Sequence, residues 1–345
     1  MEKVRLGKSG LMVTKIAFGG IPIQRLSEED AIVVVRKCLD HGINFIDTAN
    51  AYTTSEERIG KAISGRYDNL ILATKAGSRQ PHLIREHLEL SLKRLKVKSI
   101  DLYQFHGVND FKDYEHVLGL INVFDEARSE GKIKHIGITS HQPDVAKEAV
   151  KSGKFETLMF QFNFINHEAA EQLLPLCQEN DVGFIAMKPF AGGVLENAPL
   201  ALKYILQFSN AVPVIGIQKP GEIDEIIEVV NGSWELTDAD TNEIERLRAE
   251  LGNRFCRRCD YCQPCSQGIP ISTVNIIPVI LSNNSPEKIF SGQFTEALEK
   301  AALCSKCGEC EKRCPYNLPI MDMIEEYSNL YQEEKEKYQM SVAGR

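Results

Sequence analysis

The chain has 345 residues, 43% hydrophobic and 26% charged, with a formal net charge of −8, long for one domain and comfortable for a large one plus a small one. That acidic balance argues against a nucleic-acid partner, which calls for a basic face. No apolar run approaches the roughly 18 residues of a membrane span, and the opening MEKVRLGKSG lacks the apolar stretch of a signal peptide, so a cytoplasmic protein with no membrane partner is expected.

The first element in chain order is VRLGKSGLMVT, a hairpin turning at Gly7 to Gly10 that reads as a plug and not as part of a main sheet. Eight short apolar runs follow: KIAFGG, INFIDTA, NLILATKA, IDLYQFHG, IKHIGITS, TLMFQFNF, GFIAMKPF and VPVIGIQ. They are β-branched or aromatic, as strands buried on both faces should be. Helical patterns separate them. In SEEDAIVVVRKCLDHG, Ser27 is the predicted N-cap, Glu28, Glu29 and Asp30 fill the first turn where the helix dipole favours acids, and Gly42 marks the stop. Strand and helix alternating eight times predict an α/β fold, a (β/α)8 TIM barrel. A doubly wound open sheet is the alternative, but AFGGIPIQ is a poor match to the glycine-rich turn it would need. Cys38 and Cys177 stand alone on predicted helices, as small buried apolar residues.

The barrel is expected over residues 1–232, a linker helix over 233–254 and a small helical domain over 255–345. In SWELTDADTNEIERLRAELG, Thr237 is the predicted cap and Gly252 the stop. Eight of the ten cysteines then fall in two clusters, residues 256–265 and 304–314, which means metal in a reducing compartment. The runs end alike, CSQGIPI and CPYNLPI, so they read as two halves of one domain. The last fifteen or so residues, rich in Lys and Glu, are expected to fray.

Catalytic residues of such barrels gather at the C-terminal ends of the strands. Asp47 ends the second predicted strand, Tyr52 follows in its loop, Lys75 ends the third and His106 the fourth. The segments FIDTANAY, ATKAG and QFHG resemble the aldo-keto reductase family, over about residues 3–230. The resemblance implies this barrel, a nicotinamide cofactor, and Asp47, Tyr52, Lys75 and His106 as the catalytic tetrad. The chemistry agrees. Carbonyl reduction needs a proton donor at the oxygen, and a tyrosine of pKa about 10 needs help at neutral pH. Lys75 is expected to lower that pKa, Asp47 to hold Lys75 charged, and His106 to donate to the carbonyl oxygen. The resemblance further places Thr139, Ser140 and Gln161 at the nicotinamide carboxamide. Ser140 stands where many relatives have asparagine, and Met187 where they stack a tyrosine.

The cofactor phosphates are expected near Lys188, Gly192 and Gly193 of MKPFAGG, and near Gln218, Lys219 and the helix start of GIQKPGE, whose free amides would bind an anion. Where NADPH-using relatives place an arginine, this chain has Glu222, with Asp224 and Glu225 following. Three carboxylates point to NADH over NADPH; Lys219 points the other way. The loop after His106 is short, so the substrate pocket is expected to be walled partly by the C-terminal domain, with Phe111 and Tyr114 as candidate lining. The substrate is a small-molecule carbonyl or alcohol.

CSKCGECEKRCP is the run of bacterial ferredoxins, in which the fourth cysteine ligates the other cluster. It predicts two [4Fe–4S] clusters, one on Cys256, Cys259, Cys262 and Cys314, the other on Cys304, Cys307, Cys310 and Cys265. Zinc is the alternative. The insert between the runs resembles the helical ferredoxin-like domains fused to larger oxidoreductases. Because a cluster moves one electron and a hydride two, a separate one-electron partner is expected, a ferredoxin or a flavoprotein. A nicotinamide-binding redox sensor, or a reductase whose clusters only brace the fold, are the other readings.

Overall fold

The computed structural model describes residues 1–66, 68–292 and 294–343. Its first element is an antiparallel hairpin, β1 (Lys3–Arg5) and β2 (Met12–Thr14), with Val4 opposite Val13 and both Gly7 and Gly10 at positive φ in the turn. The eight apolar runs then form eight parallel strands: β3 (Ala17–Gly19), β4 (Phe45–Asp47), β5 (Ile71–Ala76), β6 (Ile100–Phe105), β7 (Ile133–Thr139), β8 (Thr157–Gln161), β9 (Gly183–Met187) and β10 (Ala211–Gly216). They close into a barrel in chain order, β10 pairing with β3 through Val214 and Ala17.

The two-residue period of a strand sorts these side chains. Phe45, Ala73, Leu102, Met159, Ile185 and Val212 pack together inside the barrel. Their neighbours Ile46, Leu72, Tyr103, Leu158, Phe184 and Ala211 belong to the second apolar layer, with the helices. Leu6 and Val13 join the inner set, so the hairpin is the expected plug. It also explains Gly183, where an added Cβ would strike Leu6.

The helix Glu28–Asp40 begins and ends on the predicted signals. The Asp30 amide donates to Ser27 Oγ at 3.1 Å, and Gly42 leaves the helix at φ +83°; such a cap is worth about 1 kcal/mol. Cys38 and Cys177 are buried, and burial pushes each thiol up to about 12, so both are inert packing residues.

The chain divides into two compact units, Met1–Ala191 with Leu195–Thr237, and Gly192–Val194 with Asp238–Arg345. The second is mainly helical. It opens with Asp238–Leu251, continues through short helices such as Ile271–Val274, Ile277–Asn283 and Glu309–Lys312, and ends in the 24-residue helix Ile320–Ala343. Its core joins Ile271, Val274, Leu298 and Met323 to Cys256, Cys262, Cys310 and Cys314. Among the described residues no helix is long and apolar enough to cross a membrane.

The Lys- and Glu-rich end, expected to fray, is helical instead. Tyr331 is fully buried, Tyr338 stacks on Phe290 with ring centroids 5.2 Å apart, and Lys335 pairs with Glu299. Aromatic anchors on one face decide the matter, because each buries a large apolar area. Tyr331→Ala should therefore cost about 3–5 kcal/mol in urea unfolding of this unit, the range for emptying a large aromatic site. Tyr331 Oη is buried without a hydrogen-bond partner, so Tyr331→Phe should be neutral or stabilising in the same measurement.

Candidate functional site

The inward alternation that fills the barrel with apolar side chains ends in polar ones at its C-terminal mouth. Two residues beyond Phe45 stands Asp47, two beyond Ala73 stands Lys75, and two beyond Leu102 stands Gln104. Lys75 Nζ, buried, donates to Asp47 Oδ2 at 2.5 Å and to Thr48 O at 2.6 Å. Asp47 Oδ1 accepts from Gln104 Nε2 at 3.1 Å. Tyr52, half-buried in the loop after β4, has its ring centroid 5.2 Å from Lys75 Nζ and meets His106 edge-on at 5.8 Å. The four predicted tetrad residues are thus brought together.

Burial raises the Tyr52 phenol above its ordinary value of 10, while Lys75, by charge and by hydrogen bond, pulls it down. The net shift is upward, contrary to the expectation that Lys75 would prevail. Tyr52 therefore holds its proton through neutral pH, which is the form a proton donor needs. Burial also pushes Asp47 up, against Lys75 and Gln104. For Lys75 burial acts downward, but Asp47 and Tyr52 outweigh it and its pKa is raised, so it stays charged.

Sequence reasoning misses the groups that hold His106 in place. Its amide donates to Ala76 O at 3.0 Å, and its carbonyl accepts from Arg79 Nη2 at 3.0 Å. Arg79 is fixed in turn by two bonds to Asp113, at 2.7 and 2.9 Å. The next amide, Gly107 N, donates to Thr139 Oγ1 at 2.7 Å. Gln104 is legible as the inward residue two before His106; Arg79 lies in the loop after β5 and Asp113 in the helix Phe111–Leu118, so their pairing leaves no local signal. Tyr114 is buried in the layer between strands and helices and donates to Glu148 O at 3.1 Å, whereas Phe111 is exposed.

Thr139, Ser140 and Gln161 are all buried, at the ends of neighbouring strands β7 and β8. Ser140 Oγ accepts from Gln142 N at 3.0 Å. Lys188 follows β9 in a left-handed conformation, φ +56°. Gly192 and Gly193 lie in the next turn at φ +75° and +101°. Gly192 is grouped with the second unit, where its carbonyl accepts from Asn283 Nδ2 at 3.1 Å and a Cβ would meet Val279. Gln218 and Lys219 precede the helix Pro220–Asn231. The expectation of free amides at this helix start fails: Gln218 N and Lys219 N both donate to Glu222 Oε2, at 2.8 and 3.1 Å. Glu222 caps its own helix. Asp224 is paired with Lys37 at 2.5 Å.

In the second unit the two cysteine runs repeat each other's backbone. Arg258 and Asp260 flank Cys259 at φ +60° and +59°; Lys306 and Gly308 flank Cys307 at +53° and +76°. Three residues past the last cysteine of each run stand Gly268 and Asn317, at +68° and +50°. Their amides donate to Cys265 O and Cys314 O, at 3.0 and 3.3 Å. Left-handed backbone at three non-glycine residues beside the cysteines costs of order 1–3 kcal/mol each, strain of the kind that collects at functional sites.

Cys265, Cys304, Cys307 and Cys310 line one cavity of about 210 Å³, several times the roughly 30 Å³ of a water molecule. Burial pushes Cys259 up to about 11 and Cys262 up to about 12, and both also feel the charges of Cys256 and Cys314. Cys265 of the first run thus shares a cavity with three cysteines of the second, and Cys314 of the second run acts electrostatically on Cys256, Cys259 and Cys262 of the first. Among the described residues, no three His, Cys, Asp or Glu side chains are arranged to hold a single metal ion.

The sequence model of the Aldo/keto reductase family matches residues 15–199. An uncharacterized oxidoreductase of Bacillus subtilis is 34% identical over 214 residues, 58% of this chain and 68% of its own. L-galactose dehydrogenase of Arabidopsis thaliana is 29% identical over 215 residues, 56% of this chain and 67% of its own. Among solved structures, the holo form of an aldo-keto reductase from Bacillus halodurans superposes with a TM-score of 0.65 at 28% identity, over 72% of this chain and 96% of that one. An aldo-keto reductase from Klebsiella pneumoniae, in complex with NADPH, gives 0.62 at 21% identity, over 72% and 95%. With a barrel of this topology and the lysine–carboxylate pair at its mouth, the chain belongs to the aldo/keto reductase family and is an oxidoreductase.

Proposed function

We propose that this protein is a nicotinamide-dependent carbonyl reductase whose second unit carries two [4Fe–4S] clusters and exchanges single electrons with a separate carrier. The observation that carries the enzymatic half is the buried Lys75–Asp47 pair beside the Tyr52 ring. A bound NADH or NADPH would supply the hydride that reduces the carbonyl carbon. Tyr52 gives its hydroxyl proton to the carbonyl oxygen, and Lys75 stabilises the charge left on the phenol. His106 orients the carbonyl and donates to its oxygen. Half-exposed Tyr52 then recovers a proton from solvent, and in alcohol oxidation the same group acts as base. Thr139, Ser140 and Gln161 are assigned to the carboxamide, in line with their burial as polar groups at adjacent strand ends. Lys188, Gly192, Gly193, Gln218 and Lys219 are assigned to the phosphates.

The cluster half draws support from the crossed cysteine sets, the cavity lined by one of them and the matched left-handed turns of the two runs. Thiolates held apart round a cavity suit an inorganic cluster better than a single zinc ion, which wants four ligands on one centre. The two runs together make a ferredoxin-like domain.

Glu222 favours NADH. Its carboxylate accepts from the Gln218 and Lys219 amides and puts a negative charge where NADPH-using relatives place an arginine. Calorimetric titration should show NADH binding more tightly than NADPH, and Glu222→Arg should move the preference toward NADPH. Tighter NADPH binding by the wild type would show that Lys219 dominates. Absorption spectra of anaerobically purified protein, before and after adding NADH, test the two halves together. Cluster bands should be present, and NADH alone should leave them largely unbleached, because hydride does not pass directly into a one-electron centre.

A further inference from the structure

The two cysteine sets are not equally covered. Cys256, Cys259, Cys262 and Cys314 are only 7% to 9% exposed. In the other set Cys310 is as well buried, but Cys265 and Cys304 are half-buried and Cys307 is exposed. Leu303, next to Cys304, is exposed at 56%, so an apolar side chain stands in solvent beside the less covered set. Electron transfer between proteins weakens steeply with distance, so a centre held by an exposed cysteine exchanges far faster than one sealed behind buried ones.

Resting on the two-cluster reading above, we propose that Cys265, Cys304, Cys307 and Cys310 form the electron port of this protein. A low-potential one-electron carrier protein docks over Cys307 and Leu303, and the buried set communicates with it only by way of the port. In each encounter the carrier is oxidised by one electron and the port is reduced by one. No bond forms or breaks, and no proton moves. The asymmetry is a property of this fold, since the backbones of the two runs match while their coverage differs.

The test uses the anaerobic full-length protein. After mild ferricyanide oxidation, a ferrous chelator should release iron in two phases of about equal size, the exposed set emptying first. Cys307→Ser should lack the fast phase and keep the slow one. In rapid mixing with a reduced low-potential ferredoxin, followed at the cluster absorption, Leu303→Asp should slow reduction about tenfold, the effect of losing roughly 1.4 kcal/mol of encounter stability. Its iron content should be unchanged. Met340→Asp, at another exposed apolar position of the same unit, should leave the rate as it was. Iron release in a single phase, a fast phase that survives Cys307→Ser, or equal effects of the two aspartates would overturn the port. Wild-type protein without iron and acid-labile sulfide would instead overturn the two-cluster reading, and the port with it.

Discussion

Tyr52→Phe removes all but about one part in 10² to 10⁴ of the carbonyl-reduction rate, the usual contribution of a positioned general acid, while nicotinamide binding stays close to wild type. The ring that meets His106 edge-on and lies 5.2 Å from Lys75 Nζ is kept, so the variant deletes a proton and little else. Steady-state reduction of a working aldehyde, with cofactor binding measured separately, checks both halves. Wild-type turnover by the phenylalanine variant would end the assignment of Tyr52. The raised phenol adds a pH expectation. Burial holds the Tyr52 phenol above its ordinary range against Lys75, so it keeps its proton at neutral and mildly alkaline pH and reduction should show no loss there from tyrosine ionisation.

The second large effect is on metal content. Anaerobic wild-type protein should contain about eight irons and matching acid-labile sulfide, as two [4Fe–4S] clusters require, and Cys304→Ser should lose about half of both. Cys304 faces the cavity that Cys265, Cys307 and Cys310 also line, so its loss empties that set and spares the buried one. Cys265→Ser should produce the same spectrum as Cys304→Ser although it lies in the other run, a result that only crossed ligation predicts. Stoichiometric zinc without sulfide would mean that the runs are zinc knuckles.

What the sequence made legible follows from how local each signal is. The eight strands announce themselves because a parallel strand buried on both faces must be apolar throughout, and the tetrad because each member ends or follows one of those strands. The left-handed turns beside Cys259 and Cys307 could not be read, because Arg258, Asp260 and Lys306 carry none of the glycine that usually marks them. Glu222 was read by its charge, whereas its place is set by two backbone amides that become available only when the helix forms. The terminal helix is illegible in composition for a different reason. Lys and Glu dominate its composition, but Phe290 and Glu299, which hold Tyr338 and Lys335, come from distant parts of the chain. Tyr114 likewise depends on Glu148 O, a partner no window around residue 114 contains.

The crossing of the cysteine sets has a consequence for biosynthesis. A nascent chain that has emerged through Cys265 carries all four thiols of the first run, yet they comprise three members of the buried set and one of the exposed set. Translation at ~5–20 residues per second leaves them waiting several seconds for their partners. The barrel strands, all N-terminal to residue 217, are by then already made. On the two-cluster reading neither site is complete until the second run follows, and the buried one waits for Cys314. Cluster delivery is then a late event, made to a chain whose catalytic barrel has already been synthesised, and truncated chains ending before the second run should leave the ribosome as iron-free reductase barrels.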